Sequence, residues 1–161
     1  MLARRTRLIG ADDWPEGRRL LIPAVDASTG EPVVWDARSG VPFVHAVAAS
    51  SAFPGVEPPV TVQGRPHFDG ALRAGVNADL AAGARTLVVV APLAHRHQLD
   101  TGQLAATGAE SVITITPDEA SARALAEDRP TPAAWALAYR EGHRQATEAT
   151  AAELRPHWPS T

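Results

Sequence analysis

Two short runs of apolar, β-branched residues constrain the fold of this chain more than any other feature. Residues 86–91 read Thr-Leu-Val-Val-Val-Ala, and residues 111–116 read Ser-Val-Ile-Thr-Ile-Thr. Runs that are continuously apolar, rather than alternating, are typical of strands buried on both faces of a parallel sheet. The intervening residues 98–107 favour a helix, so the three segments together predict a right-handed β-α-β unit.

Shorter elements are predicted on either side of this unit. Residues 20–25 and 32–35 are apolar runs separated by a turn, which is typical of a β-hairpin. Residues 42–50 carry apolar side chains at helical spacing, with a proline in the first turn. A short extended piece at 60–62 follows, and a long helical segment at 132–154 closes the chain. Strands that alternate with helices predict an α/β fold.

The composition excludes several classes of function. The sequence contains no Lys and no Cys, and its formal net charge is −3. A phosphate-binding Walker A loop, a Schiff-base lysine, a thiolate metal site and a cysteine nucleophile are therefore excluded. A net negative chain also lacks the basic field that holds nucleic acid.

The N-terminal sequence bears on localisation. Residues 1–7 are basic but are not followed by the apolar run of a signal peptide. No apolar stretch in the sequence is long enough to span a bilayer. We therefore expect a cytoplasmic protein, and peripheral association with membranes is compatible with that location.

Asp69 is the carboxylate with the most informative neighbours, because Gly70 and Ala71 follow it. A glycine can adopt φ > 0 and allows another group to approach closely, as a working carboxylate requires. An aspartate before a glycine is also common in ordinary turns. The residues alone therefore leave both a catalytic and a structural interpretation open.

An ordered series of short motifs around Asp69 resembles the patatin-like phospholipases, in particular their bacterial members. The similarity covers most of the chain, and the ordered set is specific although no single piece is. The series consists of Ala-Ser-Ser-Ala-Phe-Pro-Gly at 49–55, Pro-Pro-Val at 58–60, Gly64-Arg65, Phe68-Asp69-Gly70-Ala71, Asn77, and Gly83-Ala84 before the strand at 87–91.

The resemblance implies a particular fold and domain organisation. The expected fold is part of a three-layer α/β/α sandwich with a mostly parallel sheet that lacks its N-terminal strands. We expect residues 1–161 to form a single domain, the C-terminal part of the family's domain. Its core would lie at 20–117 and a C-terminal helical segment at 118–155.

The same resemblance implies a serine lipid acyl hydrolase that uses a Ser-Asp dyad. Asp69 matches the position of the family's catalytic aspartate, supported by Gly70 and Ala71. The family's serine lies in a Gly-x-Ser-x-Gly elbow, and no serine of this sequence has those flanking glycines. The glycine-rich oxyanion loop is also absent, so we expect the chain alone to be inactive. No metal and no organic cofactor is implied.

Three origins of such a chain remain open at the level of sequence. It is a truncated gene product, one half of a split enzyme, or a non-catalytic module that binds lipid or protein. The implied partners are a lipid or ester substrate and either a separate N-terminal half or a second copy associating through an unpaired sheet edge. Neither a nucleic acid nor a transmembrane segment is expected.

Two weaker hypotheses involve other side chains. His67 and Asp69 lie two residues apart and would share one face of a strand, so they form a candidate metal pair. Ser50 or Ser51 is a candidate for an unorthodox nucleophile, although small residues are also expected where a helix end packs tightly.

Overall fold

A computed structural model describes residues 13–94, 98–126 and 131–157 of the chain. The basic N-terminal stretch 1–7, on which part of the localisation prediction depends, lies outside the described residues. The chain divides into two compact units, Met1–Leu80 and Ala81–Thr161. The organisation as a single domain stays a prediction.

The first unit contains a four-stranded antiparallel sheet with strand order β2-β1-β4-β3. The predicted hairpin is confirmed, because β1 pairs with β2 along its length. The first strand begins two residues later than the apolar run at 20–25 suggested. The strands are β1 Ile22–Asp26, β2 Pro32–Trp35, β3 Val60–Val62 and β4 Arg65–Asp69.

The predicted helix after the hairpin is also confirmed as α1, Phe43–Ala49. Pro42 occupies its N-cap position, where the missing amide hydrogen costs nothing. The helix contacts β1, β3 and β4. Ala24 of β1 and Ala46 of α1 are fully buried in the core between them. These small side chains allow the helix and the sheet to approach closely.

The turn between β3 and β4 has left-handed backbone geometry. Gln63 has φ 49° and Gly64 has φ 79°. Two consecutive residues with positive φ match the twist of a tight antiparallel hairpin. This turn therefore sets the register of β3 against β4.

Two short helical segments follow β4. Helix α2, Ala71–Ala74, was not predicted from the sequence. The second segment is a 3₁₀ helix, Ala78–Ala81. Asn77 precedes that helix and has φ 53°, a left-handed conformation that asparagine tolerates better than most residues.

The second unit confirms the parallel pair of strands. Strand β5, Thr86–Val90, and strand β6, Ser111–Ile115, pair in parallel from the first residue of each to the last. Between them lies α3, Thr101–Ala105, shorter than the predicted helical stretch. Its N-cap residue Asp100 accepts a hydrogen bond from the amide of Gln103.

The C-terminal part of the second unit is helical. It comprises α4 Glu119–Leu125, α5 Pro132–Gln145, a π-helical turn Ala146–Thr150, α6 Ala151–Leu154 and a 3₁₀ turn Arg155–His157. The predicted helical segment is thus confirmed in extent. The spacing of apolar residues does not predict the π-helical turn within this segment.

The α/β class is confirmed. The parallel pairing is that of β5 with β6, whereas the larger sheet is antiparallel. Within the described ranges, no helix combines the length and the apolar character that crossing a membrane requires.

Candidate active site

Asp69 is the last residue of β4 and is half-buried. It lies directly opposite Ala24 of β1, and the side chain of Ala24 is completely buried. The backbone amide of Asp69 donates to the carbonyl oxygen of Ala52, just beyond the end of α1, at 3.1 Å. The main chain at Asp69 is therefore fixed from two sides, by a neighbouring strand and by the segment that leaves the helix.

The two oxygens of the Asp69 carboxylate have different surroundings. Oδ1 accepts a hydrogen bond from the backbone amide of Ala71 at 2.8 Å. Within the described part of the chain, Oδ2 has no hydrogen-bond donor and no cationic partner. One oxygen thus orients the group while the other can accept a proton from an incoming hydroxyl.

Gly70 is required for a reason other than its conformational freedom. Its backbone is right-handed, with φ −65° and ψ −15°, so the positive φ that glycine allows is not used here. A Cβ atom at this position would lie 2.4 Å from the carbonyl oxygen of Pro23 and 2.7 Å from its carbonyl carbon. Gly70 is therefore needed because the main chain of β1 passes directly against it.

Asn77 connects the turn at Gly70 to the segment that follows. Its Nδ2 donates to the carbonyl oxygen of Gly70 at 3.0 Å and to that of Gly75 at 3.2 Å. Its Oδ1 accepts from Nη1 of Arg73 at 3.0 Å. The sequence placed Asn77 in the motif series, and the structure shows that it supports the backbone beside Asp69.

Arg73 and Asp79 form an ion pair that sequence reasoning missed. Nη1 and Nη2 of Arg73 donate to the two carboxylate oxygens of Asp79, at 2.8 and 2.5 Å. Hydrogen bonding to Arg73 lowers the pKa of Asp79, and hydrogen bonding to Asp79 raises the pKa of Arg73. A spacing of six residues across a turn matches no regular helix or strand period, so no pattern could have revealed the pair.

His67 is buried and packs against an aromatic side chain. Its ring lies edge-on to Trp35, with 4.9 Å between the ring centroids. Its Nδ1 lies 2.9 Å from the carbonyl oxygen of Arg65, a contact that requires the proton on Nδ1. The residues that the structure describes contain no group of three His, Asp or Glu side chains placed to hold a metal ion. These described residues therefore supply no third ligand to the hypothetical metal pair of His67 and Asp69.

Asp26 is a buried carboxylate at the other end of the β1–β4 pairing. It accepts from the amides of Ser28 and Thr29 at 2.8 and 3.2 Å, and Nε of Arg65 lies 2.6 Å from Oδ2. Burial acts to raise the pKa of Asp26, but these amides and the Arg65 guanidinium together hold it below its ordinary value. Asp26 therefore fixes a turn and a strand end, and its oxygens are already occupied.

An apolar groove of about 440 Å³ is formed by the start of β1, the residues before it, and α1 with the serines at its end. Pro23 lines this groove, and it is also the residue whose carbonyl abuts Gly70. Pro23 is thus a neighbour of both the groove and Gly70, although neither Asp69 nor Gly70 lines the groove. Its walls are Leu20, Leu21, Ile22, Pro23, Phe43, Val47, Ser50 and Ser51.

The structure places Ser50 and Ser51 at the end of α1, in the wall of this groove. The hydroxyl of Ser51 donates to the carbonyl oxygen of Val47 at 2.8 Å, in the manner of a serine in the last turn of a helix. A hydroxyl engaged in this way is not poised for attack, so the geometry does not favour Ser51 as a nucleophile.

The family model for patatin-like phospholipases matches residues 18–82. Residues 18–82, called the patatin-like segment below, are similar to that family. The match covers less than half of the chain, and it contains β1 to β4, α1, Asp69 and the groove. No curated protein matches the chain. The patatin-like segment thus contains Asp69 and most of the sequence motifs that surround it.

Proposed function

We propose that the chain supplies the catalytic aspartate of a patatin-like serine lipid acyl hydrolase, with Asp69 as the general base of a Ser-Asp dyad. The observation that carries this proposal is the asymmetry of its carboxylate. Oδ1 is held by the amide of Ala71, and Oδ2 is left to accept a proton. Gly70 and Ala71 contribute close packing and an orienting amide rather than chemistry.

The nucleophile in this proposal comes from another polypeptide segment. No Gly-x-Ser-x-Gly elbow occurs in the sequence, and Ser51 is engaged within its helix. The chain also lacks the glycine-rich loop that would stabilise the oxyanion, which is usually a large catalytic contribution. We therefore expect no ester hydrolysis by the chain alone.

The apolar groove supports a partner segment close to Asp69. It begins at Leu20 and includes Pro23, whose carbonyl touches Gly70. A separate N-terminal half seated there would bring its serine to the side of the fold that carries the carboxylate. The completed enzyme would act on lipid esters in the cytoplasm, at membrane surfaces.

A complementation assay tests the proposal. The chain is co-expressed with the N-terminal half of a bacterial patatin-like protein, and hydrolysis of a chromogenic acyl ester is measured. Asp69→Asn should lower kcat by at least about 10²-fold, as expected for loss of a general base. Asp36→Asn is the matched control, because Asp36 likewise accepts the amide two residues ahead, that of Arg38, at 2.9 Å.

The outcomes separate the alternatives. Activity that is lost in Asp69→Asn and retained in Asp36→Asn supports the dyad. Activity that survives Asp69→Asn refutes the assigned role.

A second candidate function is a non-catalytic module that binds lipid or protein, and the apolar groove favours it. If the halves associate in a pull-down but no ester is hydrolysed, this function replaces the hydrolase. A second copy of the chain remains an alternative partner, since among the described strands β5 and β6 pair only with each other. Size-exclusion chromatography over a range of concentrations distinguishes self-association from association with the N-terminal half.

A further inference from the structure

The second unit contains a cavity, partly open to solvent, that the proposed hydrolase does not use. Its volume is about 320 Å³, at the lower end of the range found for small-molecule sites. Val90 and Ile115, at the carboxyl ends of the two parallel strands, form one wall. Ligands of α/β folds commonly bind at this end of the strands. Leu125 of α4 and Ala138 of α5 line the opposite side.

Ser121 contributes a buried hydroxyl to the wall of this cavity. The residue is 4% exposed, and among the described residues its Oγ makes no hydrogen bond of standard geometry. It lies near enough to the Asp118 carboxyl to help lower its pKa, but no well-formed bond links the two groups. A buried hydroxyl that lacks a well-formed hydrogen bond is costly, so a ligand oxygen placed to complete one here would be stabilised.

The charges beside the cavity oppose an anionic ligand. Arg144 is bound to three carboxylates at once, those of Asp118 at 2.5 Å, Glu141 at 2.9 Å and Glu148 at 3.2 Å. The cluster therefore carries more negative than positive charge, and its guanidinium is already occupied. A carboxylate or phosphate entering the cavity would be repelled rather than paired.

The one amide side chain of the wall is also committed. Gln145 accepts from the backbone amide of Asp118 at 3.0 Å and donates to the carbonyl oxygen of Thr116 at 2.6 Å. Among the buried side-chain groups of the described residues, Ser121 is therefore the one in the wall whose hydrogen-bonding capacity is unfilled.

From this combination we propose that the cavity of the second unit binds a neutral aliphatic molecule, a fatty alcohol or fatty acyl ester, whose oxygen hydrogen-bonds to the Ser121 hydroxyl. The apolar walls exclude water from the chain of the ligand, and burial of that chain supplies the affinity. The site uses none of the residues of the patatin-like segment, so binding is independent of Asp69.

Calorimetric titration of the full chain with decanol, methyl decanoate and decanoate tests the charge argument. We expect decanol and methyl decanoate to bind, and decanoate to bind at least about tenfold more weakly at neutral pH because its charge is not compensated. Equal or tighter binding of decanoate, or no binding of the two neutral probes, would overturn the proposal.

Gly142→Leu tests the location of the site without disturbing the fold. Gly142 lines the cavity, and a Cβ added there meets no atom within 4 Å, so the new side chain enters open space. We expect at least about tenfold weaker binding of decanol. Ala136→Leu is the matched control, because Ala136 lies on the exposed side of the same helix, and binding should be unchanged.

Ser121→Ala provides a second, smaller perturbation. Loss of one hydrogen bond should weaken binding of decanol by about threefold to tenfold. Circular dichroism melts of all three variants establish that they are folded. If Gly142→Leu and Ser121→Ala both bind decanol like the parent chain, the ligand lies elsewhere and the proposal is wrong.

Discussion

Replacement of Gly70 by alanine is the sharpest test of the packing around the candidate active site. In most glycine-to-alanine replacements the question is whether alanine can adopt the backbone conformation. At Gly70 it can, because φ is −65° and ψ is −15°. The added Cβ would nevertheless lie 2.4 Å from the carbonyl oxygen of Pro23 and 2.8 Å from its Cγ. Ordinary contacts between such atoms are about 3.5 Å long.

The expected magnitude follows from two opposing effects. Overpacking of this kind costs about 1–3 kcal/mol. The reduced entropy of the unfolded chain returns about 0.4–1 kcal/mol when alanine fits the backbone. Because the contacts at 2.4 and 2.7 Å are with backbone atoms that cannot rotate away, the upper part of the overpacking range, about 2–3 kcal/mol, applies. The net loss in free energy of unfolding is therefore about 1–2.6 kcal/mol, which corresponds to a fall in Tm of about 4–20 °C for a unit of this size.

Thermal melts by circular dichroism and hydrogen exchange of the β1 and β4 amides measure the effect globally and locally. Gly142→Ala is the control, since it is a helical glycine whose new Cβ meets nothing within 4 Å. That variant should gain about 0.5–1 kcal/mol. If Gly70→Ala is as stable as the parent chain and exchange in β1 and β4 is unchanged, the close approach of Pro23 is not a constraint.

Three further predictions concern buried or capping groups. Asp26→Ala should lower the unfolding midpoint in urea, because it removes the acceptor for two turn amides and leaves Arg65 unpaired; an unchanged midpoint would contradict this. Hydrogen bonds from Arg144, and after it from Ser121, lower the pKa of Asp118 to about 2 from 3.8, so the stability from these contacts is present above pH 3.8 and is lost as pH falls through about 2. Asp118→Asn should lose that acid dependence in melts across this pH window, and a parallel pH profile would refute the assignment. Thr131→Ala should cost about 1 kcal/mol of unfolding free energy in urea titrations, through loss of the side-chain cap of α5.

Several elements could be predicted because their cause is local. The apolar run at 86–91 predicts a buried strand whatever surrounds it, and β5 is found there. The turn between two apolar runs predicts the hairpin of β1 and β2. The π-helical turn at Ala146–Thr150 has no comparable signal, because one extra residue in a helical turn leaves the composition unchanged.

The sequence was enough to select the candidate catalytic residue, but it could not predict the contacts that surround that residue. The motif series identified Asp69 and included Asn77. The ion pair of Arg73 with Asp79 and the buried role of Asp26 were missed. These contacts depend on how turns fold back on themselves, and residue spacing carries no information about that.

The amino-acid sequence by itself determined the α/β class and the main helices and strands. These follow from period, turn chemistry and residue type, which act over a few neighbouring positions. Asp69 was selected as the candidate catalytic carboxylate through the resemblance of its motif series to the patatin-like phospholipases, because the residues alone also allowed an ordinary turn aspartate. The tertiary structure alone decided that Gly70 is needed to clear the Pro23 carbonyl, that one oxygen of Asp69 is held while the other is open, and that Ser121 faces a cavity. The Gly70 approach and the cavity wall each bring segments that are distant in sequence within a few ångströms of each other. The Asp69 contact is local, but only the folded backbone decides which of its oxygens meets a donor.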